Sequence, residues 1–337
     1  MKVIIRAVIL TLLSFTLINC TYAAGGKTNK EKSNGKGAPR KMITYRIGRF
    51  AIDVPTEFRL AHRKHQFRLV NIEEFSVPDP RTSVQYAEQK WKERLLQIGK
   101  LDKPSGVKEV VIKQQTFRDL GHRSNAVLYY HDYMTERRGC WEVWVDFGRH
   151  VTVFKLIGLI SAQENMLSWM MEVVRSYRPD ATASGRLRPF HTELGEINLP
   201  YKRQESSVLR FDGSKGMAFR VQMNETHKVE TTGVLERLAA SMRVNYAPGV
   251  EVEKIRASKR TAAGLAGEEI ITRLTDKHGK ELFLAWEYPG KQNSGECPEI
   301  RIAIEECPDV SVGEMVDMWD GILDSFRVTD GAGGSHG

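Results

Sequence analysis

Five groups of residues in this chain have the types and spacing that chemistry uses, and each also has a plainer reading. His62 and His65 stand three apart, the spacing of two metal ligands on one helix face, but Arg63 and Lys64 between them would repel a cation, so a solvated basic segment is expected. His278-Gly279-Lys280 begins like an HxKxxxxD phosphodiesterase motif, yet Ala285 occupies the position of the acid that orients the histidine, and a hairpin turn is expected. Gly213-Ser214-Lys215-Gly216 lacks the remaining spacing of a phosphate loop and reads as a surface turn. Glu268 and Glu269 are adjacent, and strand neighbours face opposite sides of a sheet, so they cannot share a general-acid site. Asp320 and Asp324 stand four apart on the polar face of a helix, where solvated surface is the default. A nucleophile elbow of the GxSxG type does not occur. The chain therefore presents no catalytic residues, no metal ligands and no cofactor motif, and it reads as a binding protein rather than an enzyme.

The elements around these residues carry a clearer signal, because the chain states one pattern twice. Met166, Leu167, Met170, Val173, Val174, Tyr177 and Arg178 are followed 149 positions later by Met315, Val316, Trp319, Ile322, Leu323, Phe326 and Arg327. In both, the apolar spacing is one face of an amphipathic helix. The spacing predicts two tandem, duplicated modules of α+β class, each a largely antiparallel sheet with helices packed on one face in a PsbP-like pattern. The expected boundaries are 42–180 and 186–329, separated by the Pro and Gly cluster from Pro179 to Gly185 and followed by a disordered tail, 330–337.

In the first module GRFAIDVP ends at Pro55 and a helix runs from about Thr82 to Gly99. Strands are expected at Val107–Gln114, Ala126–Asp132, Trp141–Phe147 and Val151–Ile160, then a helix opened by a capping box of Ser161 and Glu164. The second module repeats this with GEINLP, a strand at Met217–Met223 and a helix over Thr232–Arg243. Its later strands are Glu251–Ala257, Glu268–Leu274, Glu281–Tyr288 and Ile300–Glu305, before a helix capped by Ser311 and Glu314. Trp141 and Trp144 occupy opposite faces of their strand, so at least one falls outside a one-sided core. Loop tips are where binding residues concentrate; TERRG (135–139) and YPGKQNSG (288–295), together with Trp144 on the strand, make Arg137, Arg138, Trp144, Tyr288, Lys291 and Gln292 the candidate partner-binding residues.

Residues 1–24 read as a signal peptide: Lys2 and Arg6 precede an uncharged run from Ala7 to Ile18, shorter than the ~20 residues of a membrane span. Cleavage after Ala23 or Ala24, lipid attachment at Cys20 behind an atypical Asn19, and a retained anchor are the three outcomes this segment allows. Residues 25–41 hold six cations against Glu31, so most of the formal charge of +8 sits in a basic flexible tether suited to an anionic membrane surface rather than to nucleic acid. Cys297 and Cys307 bracket a strand, and ~3.3 Å per residue separates them far beyond disulfide reach; with Cys140 they are expected as free thiols.

GRFAIDVP, the run GLAGEEIITRLTDKHGKELFLAWEYPGKQNSGECPEIRIAIE and the closing WDGILDSFR together resemble the two-domain immunity proteins paired with type VI secretion lipase effectors, most clearly from about Phe190 to Arg327. The resemblance implies an exported, periplasmic protein, soluble or lipid-anchored, whose partner is a cognate secreted phospholipase that it inhibits by stoichiometric clamping, with the six loop-tip residues as candidate effector contacts. The competing reading is a PsbP-like module that binds a small ligand or assists envelope assembly.

Overall fold

The computed structural model describes residues 40–120, 123–179, 188–242, 249–308 and 311–329. The expected signal peptide, most of the tether, Cys20, the boundary cluster after Pro179 and the tail 330–337 lie outside them.

The first half runs β1 (Met42–Ile47), β2 (Phe50–Pro55), β3 (Arg59–Phe67), β4 (Val70–Ser76), α1 (Ser83–Gly99), β5 (Val111–Phe117), β6 (Ser124–Tyr130), β7 (Arg138–Asp146), β8 (His150–Leu159), α2 (Gln163–Ser176) and β9 (Tyr177–Pro179). The second runs β10 (Phe190–His191), β11 (Gly195–Ile197), β12 (Glu205–Asp212), β13 (Ala218–Asn224), α3 (Val234–Met242), β14 (Glu251–Ala262), β15 (Leu265–Asp276), β16 (Gly279–Tyr288), β17 (Glu299–Pro308), α4 (Val312–Ser325) and β18 (Arg327–Val328).

Twelve strands form one sheet in the order β14-β15-β16-β17-β13-β12-β3-β4-β8-β7-β6-β5. Read from either edge, the elements come in the same sequence, and the halves join where β3 and β12 pair antiparallel from Glu205↔Phe67 to Asp212↔Arg59. The fold is α+β with an antiparallel sheet, as the patterning indicated.

Its helices, however, cover both faces rather than one. The cause is the composition of β7, whose side chains are buried on both sides. Trp141 packs in the core under α2 with Met166 and Met170. Trp144 packs under α1 with Trp91, Val151 and Val153. The second half does the same: α4 covers the face with Trp286 and Ile302, and α3 the face with Ile270 and Ala285. The repeated helix stripe behaves as read, since Met166, Met170, Val173 and Val174 are buried in α2 and Met315, Trp319, Ile322 and Leu323 in α4.

Several strands were not legible, among them the short β1, β9, β10 and β18 and three at the centre of the large sheet. β3, β4 and β12 form the centre of the sheet, yet RLAHRKHQF and ESSVLRFD carry too much charge to signal a buried strand. The expected strand at Val107–Gln114 begins later, at Val111. Neither capping box forms. Ser161 lies within a 3-10 turn and Ala162 takes the cap position, while Ser311 caps α4 without a side-chain hydrogen bond.

Two small sheets complete the cores, and they cross. The β1–β2 hairpin pairs with β18 at the far end of the chain, and its Ile47, Phe50, Ile52 and Val54 are buried in the core of the second half. The β10–β11 hairpin pairs with β9 and buries Phe190 and Ile197 in the core of the first. Each half of the large sheet, with the core packed on it, forms a lobe, and sequence halves and lobes therefore do not coincide.

Candidate functional site

The residues whose spacing suggested chemistry are occupied structurally. β3 carries both His62 and His65, three apart and so on opposite faces. His65 is buried, contrary to the solvated segment expected, and its Nδ1 lies 3.1 Å from Ser207 Oγ of β12. Burial pushes its pKa down to about 4, and the Arg63 charge adds to this against the opposing pull of Glu74. His278 sits in the β15–β16 turn, its N–H donating to Asp276 Oδ1 at 2.7 Å. Ser214–Gly216 is a short 3-10 turn. Glu268 and Glu269 do point apart: Glu268 accepts from the Leu235 N–H at the start of α3, whereas buried Glu269 accepts from Trp319 Nε1 at 2.6 Å. Asp320 is not free surface. Arg256 and Arg260 hold it, and although burial alone would raise its carboxyl, those two cations keep it below the ordinary range. Asp324 is exposed and takes the other arm of Arg260 at 2.7 Å. Among the described residues no group of His, Cys, Asp or Glu could hold a metal ion.

The two halves of the large sheet share a carboxylate device, fully buried in the first and half-buried in the second. Glu142 of β7 is fully buried; it accepts from Arg94 of α1 at 2.5 Å, from Tyr129 Oη at 2.8 Å and from Trp144 Nε1 at 3.2 Å, with Lys155 of β8 facing it in register. Its burial would raise the carboxyl, but Arg94 and Lys155 overcome that and lower it. Glu287 of β16 faces Arg301 of β17 in register and is bonded by Arg237 of α3. Each carboxylate pins a helix to the sheet with its charges neutralised, which makes these structural anchors rather than catalytic groups. The thiols are equally quiet: Cys140, Cys297 and Cys307 are free, and burial raises the pKa of Cys140 to about 12 and of Cys307 to about 11.

The loop-tip candidates separate into two kinds. Trp144 is buried beneath α1, stacked on Phe75 with ring centroids 6.1 Å apart, and Tyr288 is buried in the second core. Arg137, Arg138, Lys291 and Gln292 are exposed. Gln292 Nε2 donates to the His227 carbonyl at 2.9 Å, and the Lys291 N–H to the Cys297 carbonyl at 2.8 Å, which fixes that loop.

Beside the two arginines lies a surface that the sequence reading missed. Tyr133 and Met134, in the β6–β7 turn, are 62% and 78% exposed, and Leu159, which pairs with Arg138 in the ladder, is 55% exposed. The turn is held in shape by the Met134 N–H on Asp132 Oδ1 at 2.8 Å and the His131 N–H on the Arg138 carbonyl at 3.1 Å. The signal was present in the apolar pair that stands inside the charged stretch HDYMTERR. A tyrosine, a methionine and two arginines with no ion pair among the described residues have the composition of a protein-binding surface. By contrast, the cavity at the junction of the halves, lined by Arg49, Phe190, Tyr201, Glu205 and Met223, has a volume of about 20 Å³, room for water rather than for an organic ligand. No helix among the described residues is long and apolar enough to cross a membrane.

Residues 195–331 match the family model of the Tle cognate immunity protein 4 C-terminal domain, the same stretch on which the sequence resemblance is clearest. A comparison with curated proteins finds no match. Among solved structures, the immunity protein TplEi of the T6SS from Pseudomonas aeruginosa superposes with a TM-score of 0.68 at 20% identity, over 85% of this chain and 97% of the other. A chain of the Tle4–Tli4 complex gives 0.65 at 19% identity over the same shares. TplEi complexed with "L" peptide gives 0.61 at 20% identity. At these identities the superpositions establish a shared fold.

Proposed function

From the similarity of residues 195–331 to the Tle cognate immunity domain, we propose that this chain is an immunity protein that binds a T6SS lipase effector and blocks it by stoichiometric clamping, without catalysis of its own. The single observation that carries the reading is that family match. The exposed Tyr133, Met134, Arg137, Arg138 and Leu159 offer a surface for it. That end of the first lobe forms one jaw, and the loop bearing Lys291 and Gln292 on the second lobe forms the other. The site of action is the periplasm, which the basic start and apolar run of residues 1–18 serve by directing export. Cys20 remains the residue through which a lipid anchor would attach.

Neutralising a lethal lipase demands tight binding. A Kd of about 1 nM corresponds to roughly 12 kcal/mol, and an interface on the order of 1,600 Å² or more is expected, which two lobes can supply. The test is a titration of the mature chain, residues 25–337, into the lipase encoded beside it while phospholipid hydrolysis is followed. Activity should vanish at about one equivalent, and the double variant Met134→Asp with Arg138→Glu should weaken inhibition at least tenfold with unchanged unfolding. Undiminished hydrolysis with no complex on a sizing column refutes the reading, whereas inhibition unaffected by the double variant moves the contact surface elsewhere.

A further inference from the structure

The segment that matches the family model is not a self-contained body. We infer that residues 42–55 are the strand donor that completes the carboxy-terminal core, and residues 190–197 the donor that completes the amino-terminal one, so that the two lobes form one cooperative unit and neither is an autonomous domain. This stands on geometry and does not depend on what the protein binds.

The surface formed by α4, β12 and β17 takes the β1–β2 hairpin as its outer layer. Phe50 stacks on Phe326 with ring centroids 5.2 Å apart, and Tyr45 meets Phe211 edge-on at 4.7 Å. The Asp53 N–H donates to Ser325 Oγ at 2.9 Å and Arg327 reaches Asp53 Oδ1 at 3.2 Å, so the last turn of α4 is closed by a residue 272 positions away. In the opposite lobe, Phe190 packs against Phe67 at 5.2 Å. Buried Glu74 of β4 accepts from Tyr177 Oη at 2.7 Å, from Thr192 Oγ1 at 2.5 Å and from the Glu193 and Leu194 N–H groups at 3.0 and 3.1 Å, and thereby fastens the β10–β11 turn. The donors touch where they cross. Gly48 and His191 exchange backbone hydrogen bonds of 3.1 and 2.6 Å, and Arg49, itself buried, forms a 2.6 Å ion pair with Glu205 of β12. Stripping either hairpin would expose a sheet face and leave these buried polar groups unpaired, both costly outcomes. The matched segment 195–331 thus lacks four fully buried residues of its own core, Ile47, Phe50, Ile52 and Val54, while β11 within it belongs to the other.

Hydrogen exchange on the full mature chain tests this. Ile52→Ala, in the first half of the sequence, should accelerate exchange at least tenfold across β16, β17 and α4. Ile197→Ala should do so across β6 to β8 and α2. Acceleration of both lobes together also supports a single unit, whereas acceleration confined to the mutated residue's own sequence half overturns the proposal. Where a variant fails to fold, the register partners Ala51 and Arg327 provide a second measurement: Ala51→Cys with Arg327→Cys should cross-link within one molecule under mild oxidant. Cross-links only between molecules, or none, would refute crossing within the chain.

Discussion

The two lobes share an order of elements and a sheet half apiece, yet they differ in what they show to solvent. Of the eleven large hydrophobic side chains exposed among the described residues, nine lie in the first lobe, and Ile43 of the crossing β1 strand and Val229 lie in the second. Both lobes carry surface ion pairs; in the second, Arg256, Arg260, Asp320 and Asp324 are linked across α4 and β14. Repetition of a fold therefore does not repeat its surface. The packed faces are constrained by volume and register, while the outer faces are free to diverge. Aligned on their repeat, α2 and α4 show the divergence within one element: Trp169 is 65% exposed where its counterpart Met318 is 4% exposed, and Met171 is buried where Asp320 meets two arginines.

The largest effect that would sharpen the comparison comes from the shared carboxylate device. Glu142→Ala removes a carboxylate with no exposure and leaves buried Tyr129 and half-buried Arg94 without their acceptor, which should cost about 3–5 kcal/mol. Glu287→Ala acts on a partly exposed pair with Arg237 and should cost about 1–3 kcal/mol. Urea unfolding of both variants decides it; equal losses would mean that the devices are equivalent and the contrast between lobes is confined to their surfaces.

The seam between the lobes is expected to respond to acid. His65 and His191 both have pKa values near 4, depressed mainly by burial, with Arg46 and Arg49 adding to the effect on His191. The native state holds them neutral, while the unfolded chain takes up their protons below about 6.5. Stability is therefore fully present above pH 6.5 and falls as pH drops toward 4, by up to ~1.4 kcal/mol per pH unit for each group. Glu205 and Glu196, raised by burial, act in the opposite sense. Subtracting the profile of His65→Gln from that of the wild type isolates one histidine, and a flat difference between pH 6.5 and 4 would show that the seam admits water.

How much of this was legible follows the same division. The helix stripes could be read because α2 and α4 each bury one face at a spacing that only a helix satisfies. The antiparallel ladders β6–β8 and β15–β17 could be read because their strands are rich in Val, Ile and Trp. The seam could not. β3 presents Arg59, His62, Arg63 and Lys64 along a strand whose buried members are few, so its alternation drowns in charge, and the crossing of the hairpins is a long-range choice that no local pattern encodes. Trp144 misled as a contact residue for a related reason: a tryptophan at a strand's outer face looks available until α1 covers it, and the sequence fixes that helix without saying on which side it packs.

The smallest effect tests the premise that exposed apolar groups in the first lobe are there for a partner. A side chain that contributes to the fold loses stability when it is made polar; one that waits for a partner does not. Trp169 sits on α2 between the buried Met166 and Met170 but points to solvent, so Trp169→Gln should change the unfolding free energy by no more than ~0.5 kcal/mol, the range of ordinary surface substitutions. Loss of more than that would place the ring in the lobe's own packing. A neutral result together with weaker inhibition of the lipase would extend the docking surface from the β6–β7 turn onto α2, and a neutral result with full inhibition would bound it at Leu159.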